Sequence, residues 1–336
     1  MGGKSTSTSE PKLNQIKVQT SAYGIAVGRG WGTFRASCNL LYYTDFQAIP
    51  HTTTTSTGGK GGGGKSSNTT YTYTASIILG VCAGPVAGVR TVYRDKSVFS
   101  GDGGVALSQA GLSLANGSIG QPVWGYLSGS HPAEAIGYSG LAYAYAANYA
   151  LSNGAGLPNH SFEVEMGSRA VINGVTVDDA LPSTVIGEFL SEVPLWPAGL
   201  VGDLGDHALY CTAANLLVSP YLDSQRSASD FLTEILTASN SDAVWSDGVF
   251  KVVPYGDVAV SGNGVVWSPR LTPVYDLSEA DFVPSSDGED PVKVSLKEPA
   301  DCYNYVQVEF LDRSHQYNTN VVPGIDQASI DRKSVV

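Results

Sequence analysis

The sequence reads GIAVGRGWGTFRASCNLLYYTDF over residues 24–46 and YTYTASIILGVCAGPVAGVRTVY over residues 71–93. Both stretches are rich in β-branched and aromatic residues and are interrupted by glycines, so they predict strands. The tract between them, HTTTTSTGGKGGGGKSSNTT at residues 51–70, has no apolar residue to anchor it. We therefore expect a flexible, basic loop over residues 50–70, because so polar a tract cannot offset its ordering entropy.

The same loop contains the string G-x-x-x-x-G-K-S, formed by Gly59, Gly64, Lys65 and Ser66. A phosphate-binding loop of this kind follows a buried strand and opens a helix, whose N-terminus faces the phosphates. Here residues 52–57 are too polar for a buried strand, and residues 66–73 alternate with the period of a strand. We expect no nucleotide site and no cofactor.

Charge is unevenly distributed along the 336 residues, whose formal net charge is −12. Residues 1–65 carry seven Lys or Arg against two acidic residues, whereas the remainder carries twelve against 29. The acidic body argues against sequence-specific binding of nucleic acid. Two readings stay open for the basic segment: contact with an acidic neighbour, or no more than a soluble, flexible segment. The candidate interface residues for the first reading are Phe46, Lys60 and Lys65.

Composition indicates a globular, mainly β chain. Apolar residues make up 42% and charged residues only 15%, with 39 glycines and 18 tyrosines, which favours β structure with much surface buried in partners. The longest apolar stretch, residues 75–89, is too short for a membrane span and is interrupted by a predicted turn at Gly84 and Pro85. We therefore expect no membrane anchor.

Four segments follow from the pattern: a flexible arm at residues 1–20, a β-rich domain at 21–175, an α+β subdomain at 176–260, and a β-rich segment at 261–336. Further strands are predicted at residues 121–126, 141–146, 160–166 and 305–310, and helices at residues 183–190, 208–218 and 227–236. Ser183 and Ser227 are the predicted caps of the first and last of these helices.

The helix at residues 227–236 precedes a predicted hairpin at 243–254, whose turn is Asp247-Gly248. Gly248 is expected to adopt positive φ in that turn. We expect helix and hairpin to pack as one small subdomain, with Trp245 or its strand neighbours in the seam.

No residue pattern points to catalysis. The five histidines are scattered, and the four cysteines, Cys38, Cys82, Cys211 and Cys302, lie far apart without a metal-ligand spacing. The acidic pair Asp178-Asp179 precedes a predicted helix, and we interpret it as negative charge that is favourable at the N-terminus of that helix. We expect no metal site and no enzyme, while a disulfide between Cys38 and Cys82 stays possible.

The order of several sequence blocks resembles a known family. The blocks are residues 28–34, CNLLY at 38–42, a glycine-lysine loop, YTYTAS at 71–76 and CAGPVAGV at 82–89; later, a capped helix leads into VWSDGVFKVVP at 244–254, followed by DPVKV at 290–294 and DCYNYVQV at 301–308. This arrangement is similar to baseplate hub, or tail tip, proteins of long-tailed bacteriophages and gene transfer agents (the tail tip attachment protein J-like family).

The resemblance implies a homotrimeric structural virion protein whose β-barrel, tube-like domains close the distal end of a tail tube. It implies contacts with the distal tail protein ring, the tape measure protein and a C-terminal tip or fibre protein, after assembly in the host cytoplasm. Residues 261–336 would begin a second tube-like domain and leave it incomplete. The alternative is a carbohydrate- or cell-surface-binding β protein, and a nucleotide-using enzyme is a third reading.

Overall fold

A computed structural model describes residues 6–15, 26–57, 64–152, 154–194, 196–197, 199–273, 275–283, 290, 294–295, 298, 303–328 and 330. The chain divides into two compact units, Met1–Pro269 and Arg270–Val336. The division falls nine residues beyond the boundary predicted at 260/261, and the first unit contains both the predicted β-rich domain and the α+β subdomain.

Strands dominate the first unit, so the prediction of a mainly β chain is confirmed. They are β1 Thr6–Ser9, β2 Arg29–Gly30, β3 Thr33–Ser37, β4 Asn39–Thr57, β5 Gly64–Ala83, β6 Val86–Arg94, β7 Ser97–Ser100, β8 Ser113–Ala115, β9 Leu141–Ala150, β10 His160–Met166, β11 Val171–Ile172, β12 Val175–Thr176, β13 Tyr221–Leu222, β14 Ser241–Ser246, β15 Val249–Pro254, β16 Val260–Gly262 and β17 Val265–Trp267. The helices are α1 Val105–Gln109, α2 Gly125–Ser130, α3 Pro182–Glu192, α4 Gly205–Ala214 and α5 Ala228–Ala238.

Two sheets enclose the main core. The first has the order β1-β5-β9-β8, with β4 also paired to β5, and the second has the order β3-β10-β6-β7. Alternate residues of both sheets point into one apolar cluster, which includes Phe34, Ile77, Leu79, Val92 and Phe162, all at most 3% exposed. Neither sheet closes on itself among the described strands, so the expected β-barrel is not seen in this part of the chain.

A long antiparallel hairpin replaces most of the expected loop at 50–70. Strands β4 and β5 pair in register from Asn39 opposite Gly80 to Thr57 opposite Gly64. Residues 50–57 and 64–70 are therefore strand, whereas residues 58–63 lie outside the described part. The prediction missed this because it weighed apolar burial, and these threonine-rich residues are held by ladder pairing and β propensity instead.

Two helices and a hairpin form a second core in the first unit. Helices α3 and α5 pack with hairpin β14–β15 around a cluster whose buried members include Trp31, Ile186, Leu190, Phe231, Ile235, Phe250 and Val252. Phe250 and Val252 supply the hairpin side, whereas Trp245 is 61% exposed. The seam thus contains the strand neighbours of Trp245 and not Trp245 itself.

Some local predictions differ from the structure. Residues 121–126 are not a strand; the chain instead enters helix α2 at Gly125. Leu181 occupies the N-cap of α3, which places Ser183 inside the helix. Ser227 occupies the N-cap of α5, but its hydroxyl accepts no backbone N–H of the helix and instead lies 2.6 Å from the Ser229 hydroxyl. In both helices the ends are set by tertiary packing of the apolar face more than by a side-chain cap.

The second unit contains the hairpin of β18 Tyr305–Asp312 and β19 Asn318–Ile325. Its two strands pair along their whole length, and their apolar side chains are exposed on both faces: Val308 is 58% and Leu311 65% exposed. Most of the sequence blocks at 284–302, including Cys302, lie outside the described residues.

Cys38, Cys82 and Cys211 are all free thiols. No described helix combines the length and the apolar character needed to cross a membrane.

Candidate assembly surfaces and an aromatic groove

The distal part of hairpin β4–β5, residues 51–57 and 64–70, is a polar ribbon. Its exposed or half-buried side chains are hydroxyls, amides, His51 and Lys65, and they bond across the strands, with Thr52 Oγ1 3.0 Å from Thr69 Oγ1. Strand β1 extends the ribbon by pairing in parallel with residues 66–69 of β5. In the described residues nothing pairs with the outer edges of β1 and β4, so both edges can accept a further strand.

The three predicted interface residues do not come together. Phe46 lies at the base of the ribbon, where its ring stacks on Tyr73 at 5.7 Å and packs against the main core. Lys65 is exposed near the tip, opposite Ser56, and Lys60 lies outside the described residues. Thr74 pairs with Gln47, the residue after Phe46, and lies nine residues of extended strand from Lys65. Lys65 is therefore about 30 Å from the base of the ribbon, where Phe46 lies.

The phosphate-loop string has no phosphate-loop geometry in its described part. Gly64, Lys65 and Ser66 begin the 20-residue strand β5, and their backbone forms ladder pairs with residues 55–57 of β4. A phosphate loop instead directs successive N–H groups into a cradle at a helix N-terminus.

Gly84 and Pro85 form a tight turn, joined by a cis peptide bond. A Cβ atom on Gly84 would lie 2.5 Å from Gly117 Cα and 2.6 Å from Asn116 O. The turn therefore requires glycine at this position because two backbones approach closely, and its role is structural.

An aromatic cluster covers the outer face of the first sheet. Trp124 stacks on Tyr126 with a centroid distance of 4.9 Å and lies at the same distance from Tyr145 on β9. Behind these half-buried rings are the fully buried side chains of Ile78, Leu127 and Tyr143. The cluster is thus a rigid wall whose rings are partly accessible.

The wall borders a groove of about 780 Å³. The other side is built from the start of β6, helix α1, strand β8 and the carboxylate of Glu165 on β10. Much of the floor consists of small residues, and a Cβ at Gly103 or Gly104 would meet no atom within 4 Å. Arg90 and Arg169 both donate to Glu165 Oε1, at 2.7 and 2.5 Å, and neutralise the carboxylate.

A polar network fixes the wall to the base of the ribbon. The Tyr126 hydroxyl donates to Asp45 Oδ2 at 2.5 Å, and His131 Nε2 lies 2.9 Å from the same oxygen. These hydrogen bonds hold the pKa of Asp45 below its usual value. Asp45 adopts φ 50° beside a bulge in β4, which turns its carboxylate toward the wall.

Buried titratable groups elsewhere are unsuited to catalysis. Cys211 Sγ lies 3.4 Å from His207 Nε2 on α4, and both residues are fully buried. Burial raises the pKa of Cys211 to about 12 and lowers the pKa of His207 to about 4, so the pair is neutral near pH 7 and lacks the thiolate that a cysteine nucleophile needs.

Other candidate polar residues have structural partners. Asp178 accepts a hydrogen bond from Arg90 at 2.5 Å, and Asp179 accepts one from Ser219 at 2.6 Å. The pair therefore holds loops in place, and it does not supply charge to the N-terminus of α3 as predicted. Within the described residues no cluster of three or more His, Cys, Asp or Glu could hold a metal ion.

Sequence reasoning missed the groove. The available signals were the alternating tyrosines at 143 and 145 and the pair Trp124 and Tyr126, all of which the pattern assigned to strands without joining them.

Comparison with known proteins gives two matches. Residues 227–336 match the model of a family described as putative phage tail protein. A chain in a solved structure, the virion of a native gene transfer agent (GTA) particle, is similar in fold, with 17% identity and a TM-score of 0.53 over 94% of this chain and 69% of that chain. A search of curated proteins finds no significant match. The family match thus covers the last third of the chain, and the structural similarity shows a shared fold.

Proposed function

We propose that the chain is a baseplate hub or tail tip component, which closes the distal end of a tail tube and joins it to the tip or fibre. One observation carries the proposal: hairpin β18–β19 exposes apolar side chains on both faces, within the segment that matches a phage tail family. A two-stranded hairpin is marginal by itself in water, so this one requires further strands or a covering surface.

The polar ribbon of β1, β4 and β5 supports assembly by a different route. Its two open edges offer backbone donors and acceptors for strand addition, and its faces carry no apolar side chain to bury. In this proposal the chain forms a homotrimer at the tail tip. Its partners are the distal tail protein ring, the tape measure protein and a C-terminal tip or fibre protein, with assembly in the host cytoplasm.

Native mass spectrometry of the full chain tests the proposal. The expected species has three times the 35.1 kDa mass of the chain. Val308→Lys, in the exposed hairpin, should shift the population toward monomer, because a charge on a buried interface residue is costly. Val171→Lys is the matched control, since Val171 is 63% exposed on β11 of the first unit and does not belong to that hairpin. A chain that stays monomeric at every concentration, or that responds equally to both changes, would contradict this assignment.

A further inference from the structure

We propose that the groove between the aromatic wall and helix α1 binds a neutral saccharide, with pyranose rings stacked on the wall. None of the residues that line the groove belongs to the polar ribbon or to hairpin β18–β19, and nothing in its geometry depends on a trimer. The wall is formed by Trp124, Tyr126 and Tyr145, and the groove has a volume of about 780 Å³, within the range of small-molecule sites.

The wall suits the apolar C–H face of a sugar ring. Its three rings are half-buried, and they are fixed by mutual contacts at 4.9 Å and by the Tyr126–Asp45 hydrogen bond. Rigid aromatic side chains lose little conformational entropy on binding, so their contact area contributes efficiently to affinity.

The polar atoms of the groove match a polyhydroxylated ligand. Ser108, Ser113 and Tyr145 line the groove or its wall, and their hydroxyls make no hydrogen bond to any described residue. The arginine bonds of Glu165 all go to Oε1, so Oε2 accepts from no described group. These hydroxyls can donate or accept and the carboxylate oxygen can accept, which is the mixture that sugar hydroxyls require.

Charge favours a neutral sugar over a phosphorylated or anionic ligand. Glu165 is the charged residue that lines the groove, and the two arginines that contact it are already engaged as its partners. An anion would therefore find no free cation in the groove lining, whereas a neutral ligand needs none. The glycine floor at Gly103 and Gly104 leaves the volume open for a bulky ring system.

Titration calorimetry of the full-length chain tests the site with two probes, a β-1,4-linked N-acetylglucosamine oligomer and a maltooligosaccharide. We expect at least one probe to bind with a Kd of about 1 mM or tighter, a weak affinity typical of small open sites. Ser108→Trp fills the groove from an exposed position on α1 and should weaken binding at least tenfold. Ser130→Trp introduces the same side chain at an exposed position of α2 outside the groove and should leave Kd unchanged.

Glu165→Gln keeps the shape of the groove and should weaken binding severalfold, because hydrogen bonds to a charged acceptor are stronger than those to a neutral one. Two results would overturn the proposal: no heat of binding from either probe up to about 10 mM, or a Kd that Ser108→Trp leaves unchanged. Binding of inorganic phosphate or an extended peptide in the groove, with neither sugar bound, would also overturn it.

Discussion

Replacing Trp31 by alanine should destabilise the first unit more than any exposed aromatic substitution. Trp31 is fully buried, stacks on Phe231 at 5.6 Å, meets Phe189 edge-on at 6.4 Å, and donates its indole N–H to Glu188 at 2.9 Å. The Arg29 guanidinium lies 4.5 Å from the ring centroid. Trp31 follows β2 in the chain, yet it fills the core of the helical layer, so it joins two parts of the unit that are far apart in sequence.

The magnitude follows from these contacts. A buried tryptophan removes about 150–250 Å² from water, which at about 25 cal/mol per Å² corresponds to roughly 4–6 kcal/mol. Truncations of this kind typically cost about 3–5 kcal/mol after partial relaxation. We therefore expect Trp31→Ala to lower the free energy of unfolding by about 4 kcal/mol. Trp31→Phe, which keeps an aromatic ring and loses the N–H bond, should cost about 1–2 kcal/mol.

Urea unfolding monitored by far-ultraviolet circular dichroism measures the effect, with Trp245→Ala as the control. Trp245 is 61% exposed and keeps contacts with Trp196 and Phe250, so its removal should cost about 1 kcal/mol or less. If Trp31→Ala cost no more than Trp245→Ala, the helical layer would not pack on Trp31 and the architecture would be wrong at that point.

Three further outcomes are expected. Gly248→Val should destabilise the chain by about 1–2 kcal/mol, because Gly248 has φ 77° and a β-branched residue is strained there; Gly248→Asn should cost less, and equal thermal midpoints for the two variants would refute this. ATP and GTP should give no heat of binding in calorimetry, because Lys65 lies in a strand; micromolar binding that Lys65→Ala abolishes would contradict this expectation. Burial lowers the pKa of both His160 and His207 to about 4, below the value of about 6.5 in an unfolded chain. The unfolded state therefore binds protons first, so stability should be full above pH 6.5 and fall as the pH drops toward 4; a stability curve that is flat over this range would show that these histidines are not buried.

Local pattern was sufficient for much of the secondary structure. The alternation in residues 71–93 and 160–166 matches strands β5, β6 and β10, and the Asp247-Gly248 turn lies between β14 and β15 with both residues at positive φ. These features are predictable because alternating burial and positive-φ turns depend on residues that are consecutive in the sequence.

Features that depend on distant contacts could not be predicted in this way. Residues 51–57 have no apolar side chain, and only their pairing with β5 makes them a strand. Trp31 stands between glycines, and its helical partners lie more than 150 residues later in the chain. The groove wall brings Trp124 against Tyr145 over the buried Ile78, a combination that no single segment contains.

We propose that the chain is a structural part of a virion tail tip. Electron microscopy of purified particles, labelled with a gold-conjugated antibody against this chain, shows directly where the chain lies. We expect gold at the distal end of the tail, on particles that retain their tip. Gold on the capsid or along the whole tail, or particles free of label while the chain is abundant in the lysate, would contradict it.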